Sequence, residues 1–222
     1  HYANRFHEIK KNGELEYSFH AGLHAASYTS RKFSAEGGFG IFGAYLYPYS
    51  IPELFGISGS TLIDQMPDLH TILGNDGRIL EEKMLLAATN AARFNTLSAF
   101  LENRLLKSKQ QNLPVFDVIR QMIQSGGTQK VQQVHTDAYL SLRQFERLFR
   151  YYTGMAPKTF TRISRFHHAL EHYGQDYSLT KVAYRCGYYD QSHFIHDFRE
   201  FSGLHPKAFF SGSAEGNSWR DA

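Results

Sequence analysis

Aromatic residues recur at four-residue steps in two separate stretches of the chain, and the stretches superimpose at an offset of 49. Phe145 and Phe149 fall on Phe194 and Phe198, and Arg150 falls on Arg199. Beyond them, Gly154, Pro157, Lys158 and Phe160 match Gly203, Pro206, Lys207 and Phe209. Seven identities within twenty positions mark a duplicated structural unit. The apolar spacing predicts a helix in each copy, through Leu142, Phe145, Phe149 and Tyr152 in the first and Phe194, Phe198 and Phe201 in the second. Ser141 and Asp190 have the right chemistry to cap these helices at their starts. The glycine after each can take the left-handed conformation that closes a helix, and the proline three residues later suits the first turn of another.

A second apolar-periodic segment precedes each copy. Before Asp190 it begins at Ser178-Leu179; before Ser141 it covers 130–140, aligned at an offset of 48, with Val131 and Val134 against Leu179 and Val182. The turn of the second copy is therefore one residue longer. Two short helices joined by a tight turn make a helix-turn-helix, and the chain contains two, at about 130–154 and 178–203.

The run Ala183-x-x-x-Gly187-Tyr188-x-Asp190-Gln191-Ser192-His193-Phe194-x-x-x-Phe198-Arg199-x-x-x-Gly203-x-x-Pro206 resembles the signature of AraC/XylS-type transcription regulators. The resemblance covers roughly residues 112–210. Small residues usually sit where His135 and Tyr139 stand, so the first helix pair is expected to be wider or tilted. The resemblance implies that Arg143, Glu146 and Arg147, with Gln191, Ser192, Ile195 and His196, face base edges. Arginine can donate two parallel hydrogen bonds to guanine, glutamine can pair with adenine, and an apolar side chain can touch a thymine methyl. Arg150, Lys158, Arg162, Arg199 and Lys207 are the candidate phosphate contacts, which set register without reading sequence. The plainer alternative for Arg143 and Arg150 is a local ion pair with Glu146 on a solvated face.

Around this domain the pattern is coarser. Residues 1–50 are rich in aromatics and glycine, with strand-like pieces at 15–19, 25–33 and 39–47 and a Gly37-Gly38 turn between the last two. Ser50 is expected to cap a short helix with Pro52 in its first turn, and 57–75 reads as turn-rich. The stretch from Tyr45 to Gly56 resembles an N-terminal domain found attached to such regulators. Helices are predicted at 78–88 and 93–109, the second with Phe94, Leu97, Leu101 and Leu105 on one face. Pro114 opens a helix to Gln124 that buries Val118, Ile119 and Met122, and Gly126-Gly127 ends it. Pro157 opens a connecting helix to about residue 173, a rod of about 25 Å, between two reading helices that would enter successive major grooves about 34 Å apart.

The expected fold is thus an α+β N-terminal domain, a partial small sheet or barrel plus helices, over 1–110. An all-α double helix-turn-helix domain follows over 111–210, with a flexible tail at 211–222. Residues 111–222 carry 13 Lys/Arg against 10 Asp/Glu, whereas 1–110 hold 11 of each, so the net charge of +3 lies on the half with the motif. The single cysteine, Cys186, excludes a disulfide framework and reads as a small core residue. No run of 18 apolar residues suggests a membrane span, and a cytoplasmic location is expected. No nucleophile constellation or phosphate-cradling loop points to an enzyme, and no cofactor is called for. His20 and His24, with Glu14 or Glu16, have spacing that could hold a metal; a metal-binding or purely protein-interaction N-terminal portion is the alternative to a small-molecule sensor. Phe42, Tyr45, Tyr47 and Tyr49 would line an apolar pocket or, more simply, a core. The partners expected are a double-stranded DNA operator, with a small-molecule effector, a second copy of the chain through residues 78–109 and, for an activator, RNA polymerase as further candidates.

Overall fold

A computed structural model describes residues 5–10, 12–38, 40–109, 113–129, 140–172 and 178–211. The chain divides into two compact units. The first comprises His1–Ser27, Arg31–Asn112 and Tyr151–Gly154; the second comprises Tyr28–Ser30, Leu113–Arg150 and Met155–Ala222.

The first unit begins with an antiparallel sheet of β1 (Phe6–Ile9), β2 (Leu15–Tyr17) and β3 (Lys32–Ala35), in the order β2-β1-β3. His7 lies opposite Tyr17 on one side of β1, and Glu8 lies opposite Phe33 on the other. Glu8 is buried in the central strand, and two cations hold it there. Arg31 Nε donates to Oε1 at 2.9 Å, and the Lys10 ammonium donates to Oε2 at 3.1 Å. The Arg31 guanidinium holds the carboxyl down to about 2, well below the usual carboxylate range. The strand pieces expected at 25–33 and 39–47 need correcting. Only Lys32 and Phe33 of the former are in a strand, and residues 40–47 form none. Gly40 and Gly43 interrupt that stretch, and glycine offers a strand no side chain to pack. Gly37 has a left-handed φ of 74°, but it closes no hairpin between those two pieces.

Five helices follow: α1 (Ser50–Phe55), α2 (Gly59–Leu62), α3 (Leu69–Leu73), α4 (Asn75–Leu86) and α5 (Asn90–Lys107). Tyr49, rather than Ser50, is the cap residue of α1, and Pro52 is buried in its first turn. Residues 57–75, turn-rich in sequence, also contain α2 and α3, which are too short for periodicity to register. Asp68 caps α3 by accepting from Thr71 N–H, and Thr89 caps α5 by accepting from Ala92 N–H. Leu54, Phe55, Leu62, Leu69 and Leu80 are the buried apolar residues of this helical layer. Arg104 Nε donates to the Leu54 carbonyl at 2.7 Å and joins α5 to α1. The expected apolar stripe of α5 stays half open: Leu97 and Leu101 are half-buried, while Phe94, Leu105 and Leu106 are exposed at 62%, 48% and 79%.

The secondary-structure elements of the second unit are all helices among its described residues. Pro114 occupies the first turn of α6 (Pro114–Gln124), where a missing N–H costs nothing, and Val115, Phe116, Val118, Ile119 and Met122 are buried. Gly126 and Gly127, at φ of 58° and 70°, end the helix. Next come α7 (Leu142–Thr153), α8 (Pro157–Leu170), α9 (Leu179–Arg185), α10 (Gln191–Ser202) and α11 (Pro206–Phe210). Residues 130–139 of the predicted first helix, with Val131, Val134, His135 and Tyr139, lie outside the described residues, as do 173–177 and 212–222. The connecting helix α8 closes at Leu170, so its 14 residues span roughly 21 Å rather than 25.

A phenylalanine-rich core organises the C-terminal helices. Phe166, Ala169, Val182, Ala183, Cys186, Phe194, Phe198, Phe201 and Phe209 pack in one cluster. Edge-on ring pairs run through it, Phe166 to Phe198 at 5.2 Å and Phe194 to Phe198 at 5.6 Å. Cys186 lies fully within this core, and burial pushes its thiol up to about 11. It is a packing residue and no nucleophile at neutral pH.

Arg165 Nε donates to the Gly127 carbonyl at 2.9 Å, so the turn after α6 sits tightly on α8. A Cβ on Gly127 would lie 2.5 Å from the Thr161 carbonyl oxygen. Gly127→Ala therefore combines a strained φ with a backbone clash, and strain of this kind costs about 1–3 kcal/mol. Urea unfolding of the full chain should show a lower midpoint for this variant; a midpoint equal to that of the parent would contradict the close approach.

Candidate nucleic-acid interface

The two repeats present their polar faces for the same reason. In α7, Phe145 and Phe149 are fully buried, and Phe149 packs edge-on against Phe160 of α8 at 5.3 Å. In α10, Phe194, Phe198 and Phe201 are buried on the shared core. At 3.6 residues per turn, burial of these positions turns the residues between them outward. Arg143, Glu146, Arg147 and Arg150 of α7 are exposed, as are Ser192, His196 and Arg199 of α10. No ion pair among the described residues engages Arg143, Arg147 or Arg150, so the local pairing with Glu146 weighed from the sequence is not formed. Ser192, Ile195, His196, Arg199 and Glu200 line one shallow open groove along α10.

The helix starts are built by side-chain caps. Ser141 and Gln144 form a reciprocal capping box: Gln144 N–H donates to Ser141 Oγ at 3.3 Å, and Ser141 N–H donates to Gln144 Oε1 at 3.2 Å. Asp190 Oδ1 accepts from His193 N–H at 2.7 Å, and Ser178 Oγ accepts from Lys181 N–H at the start of α9. Gly154 and Gly203 both adopt left-handed φ, 83° and 73°, after α7 and α10. Each therefore ends where its glycine stands, with Pro157 or Pro206 opening the next helix.

The predicted site residues do not all have the same surroundings. Gln191 is half-buried, and its Oε1 accepts from Thr180 Oγ1 of α9 at 2.7 Å, which links the two helices of the second repeat. Its amide N–H₂ takes no part in that bond and remains a donor. Ile195 is half-buried against the aromatic core, leaving part of its side chain in the groove. His196 is 72% exposed at the side chain. Lys158 and Lys207 are exposed in the first turns of α8 and α11. Arg162 is different. Its Nη2 donates to Asp197 Oδ1 at 2.8 Å and its Nη1 donates to Glu200 Oε1 at 3.3 Å, so both carboxylates engage the guanidinium. These neighbours raise the Arg162 pKa still further above its usual value. Asp197, Glu200, Thr180 and Gln144 were not singled out from the sequence. Gln144 was legible as the third residue after a serine cap, whereas nothing in the sequence pairs Arg162 with a carboxylate 35 positions away.

His20 and His24 do not join Glu14 or Glu16 in a ligand cluster. Among the described residues, the one grouping of three that could hold an ion is His196, Asp197 and Glu200. Asp197 Oδ1 and both Glu200 oxygens already accept from Arg162, which supplies the neighbouring positive charge. Tyr45, expected to line a pocket or, more simply, a core, is fully exposed, and Tyr47 stacks on Tyr49 at 5.3 Å. No described helix is long and apolar enough to cross a membrane.

Comparison with known proteins finds relatives of the second unit. Residues 136–212 match a family described as "Helix-turn-helix domain". The chain is similar to the HTH-type transcriptional activator RhaS of Salmonella arizonae and of Salmonella paratyphi B, each 36% identical over 76 residues. That match takes in 33% of this chain and 27% of each relative, so the chain spans about a quarter of the length of these relatives. Among solved structures, the DNA-binding domain of AdpA in complex with a target DNA is 30% identical, covering 46% of this chain and 93% of that one, with a TM-score of 0.43. ToxT from Vibrio cholerae is 13% identical, covering 62% and 55%, with a TM-score of 0.42.

Replacing Asp190 by alanine removes the acceptor for His193 N–H. Loss of such a cap costs about 1 kcal/mol, so urea unfolding should register a drop of that order. Amide exchange at His193 should accelerate with it; unchanged exchange would show that the Asp190 cap does not protect the helix start.

Proposed function

We propose that this chain, whose residues 136–212 are a helix-turn-helix domain of the AraC/XylS type, is a sequence-specific DNA-binding transcription regulator. The observation that carries the reading is the repeated one: two capped helices, each burying a phenylalanine pair and each presenting polar, partly cationic side chains outward. Arg143, Glu146 and Arg147 read base edges in one major groove. Gln191, Ser192, Ile195 and His196 read them in the next. Arg150, Lys158, Arg199 and Lys207 contact phosphates. Arg162 leaves that group, since four of its five N–H donors are engaged by Asp197 and Glu200. The roughly 21 Å rod of α8 is shorter than the ~34 Å between successive grooves, so the offset of the reading helices from its two ends supplies the rest.

The first unit serves effector response and self-association in this reading. Leu85, Leu86, Phe94, Leu105 and Leu106 leave an apolar surface exposed on α4 and α5, which suits a homodimer contact within residues 78–109. The relatives' name describes activators, and activation, with contact to RNA polymerase, is the direction proposed here. The cytoplasm is the compartment proposed.

Arg147→Ala should cost about 1–3 kcal/mol of DNA-binding energy and relax preference at one base pair. Electrophoretic or fluorescence titration with duplexes varied at single positions measures this, and an equal loss on all sequences would make Arg147 a phosphate contact instead. Lys207→Ala should weaken binding to every duplex alike and reduce the salt slope by about one; a loss confined to one sequence would contradict its assignment. Leu106→Asp should shift the full chain from dimer to monomer in light scattering, and a parent chain that is already monomeric at all concentrations would overturn the dimer reading.

A further inference from the structure

Asp197 is out of character with its surroundings. It lies on the buried stripe of α10, among Phe194, Phe198 and Phe201, and is 1% exposed. A carboxylate in such a place is costly unless paired and hydrogen-bonded. Arg162 supplies the pairing from α8: Nε and Nη2 both donate to Asp197 Oδ1, at 3.2 and 2.8 Å. The same guanidinium reaches both oxygens of Glu200, one turn further along α10 near the reading groove, and lies 5.0 Å from the centre of the Phe201 ring. Held by two carboxylates and a ring face, its planar fork has little freedom to turn towards a phosphate.

The clamp continues to the reading surface. His196 Nδ1 stands 3.6 Å from Asp197 Oδ1 and 3.7 Å from Glu200 Oε2. Asp197 Oδ2 is buried without a hydrogen-bond partner and has His193 Nε2 at 3.9 Å. With Arg162 in place, its two carboxylate partners are partly neutralised and fixed. With Arg162 removed, both become free to turn towards the His196 imidazole and to repel nearby phosphates. The repeat makes this a property of one reading helix alone. At the offset of 49, the first copy has Leu148 and Tyr151 where the second has Asp197 and Glu200.

We propose that Arg162 is a positioning residue of the second reading helix. Without touching DNA, it fixes Asp197 and Glu200 and through them the His196 imidazole, and so sets base preference in the half-site that His196 faces. The proposal rests on the DNA-reading role given above.

The test uses the full chain. The parent selects duplexes from a random pool, and the recovered duplex is then varied one base pair at a time. Arg147→Ala identifies the half-site read by α7. Arg162→Met should reduce discrimination about tenfold at one or two adjacent positions of the other half-site. Preferences in the first half-site, and the salt slope, should stay as in the parent. Glu200→Gln removes one arm of the clamp at a more exposed carboxylate and should give a smaller loss at the same positions, even if Arg162→Met does not fold. A uniform loss on every duplex with a shallower salt slope would make Arg162 a phosphate contact and overturn the proposal. A lowered melting temperature with unchanged base preferences, or unchanged preferences in Glu200→Gln when Arg162→Met is unfolded, would overturn it too. A parent chain that recovers no duplex from the pool would overturn the DNA-reading role itself, a result distinct from these.

Discussion

Burial of Phe145 and Phe149 in α7, and of Phe194 and Phe198 in α10, decides what the remainder of the second unit can do. All four rings are fully removed from solvent. Truncating a buried phenylalanine to alanine typically costs 3–5 kcal/mol, whereas an exposed ion pair is worth about 0–1 kcal/mol. The roll of each helix about its own axis is therefore set by aromatic packing, and the surface charges follow. Arg143, Arg147 and Arg150 face outward because the opposite side of α7 has somewhere better to be.

Caps and glycines then fix where each helix starts and stops. Ser141 with Gln144, and Asp190 alone, satisfy backbone N–H groups at the first turns. Gly154 and Gly203 take the left-handed conformation that lets the chain turn into the next proline-led helix. A helix whose roll and ends are both fixed can hold a small set of side chains in register against a rigid partner, which is the requirement for reading bases rather than merely attracting phosphates. The clamp of Arg162 on Asp197 and Glu200 adds a third constraint in the second copy, from a neighbouring helix.

The repeated domain was largely legible in the sequence because local rules and tertiary packing agree there. Phenylalanines four apart, a cap before them and a glycine after them each predict the same helix, and the buried set Val118, Ile119 and Met122 of α6 followed from its period. The clamp was not legible, since Arg162 read from the sequence alone is one more cation beside a helix start. Only the fold brings Asp197 to it. The N-terminal sheet was poorly legible for a related reason. In β1, the pattern Phe-His-Glu-Ile conceals a central strand, because Glu8 is buried by pairing with Arg31 and Lys10 rather than by being apolar. The aromatic stretch 39–47 looked like a strand by composition, yet Gly40 and Gly43 break it and Tyr45 faces solvent.

The account stands on one chain addressing two successive grooves of a single duplex from the same side. Binding measured on duplexes whose two half-sites are pushed apart by inserted base pairs tests this most directly. Adding about five base pairs, half a helical turn, rotates one half-site to the far side of the duplex, and affinity should fall to that of a single half-site. Affinity that stays the same whatever the spacing would mean that the two helices do not read one duplex together.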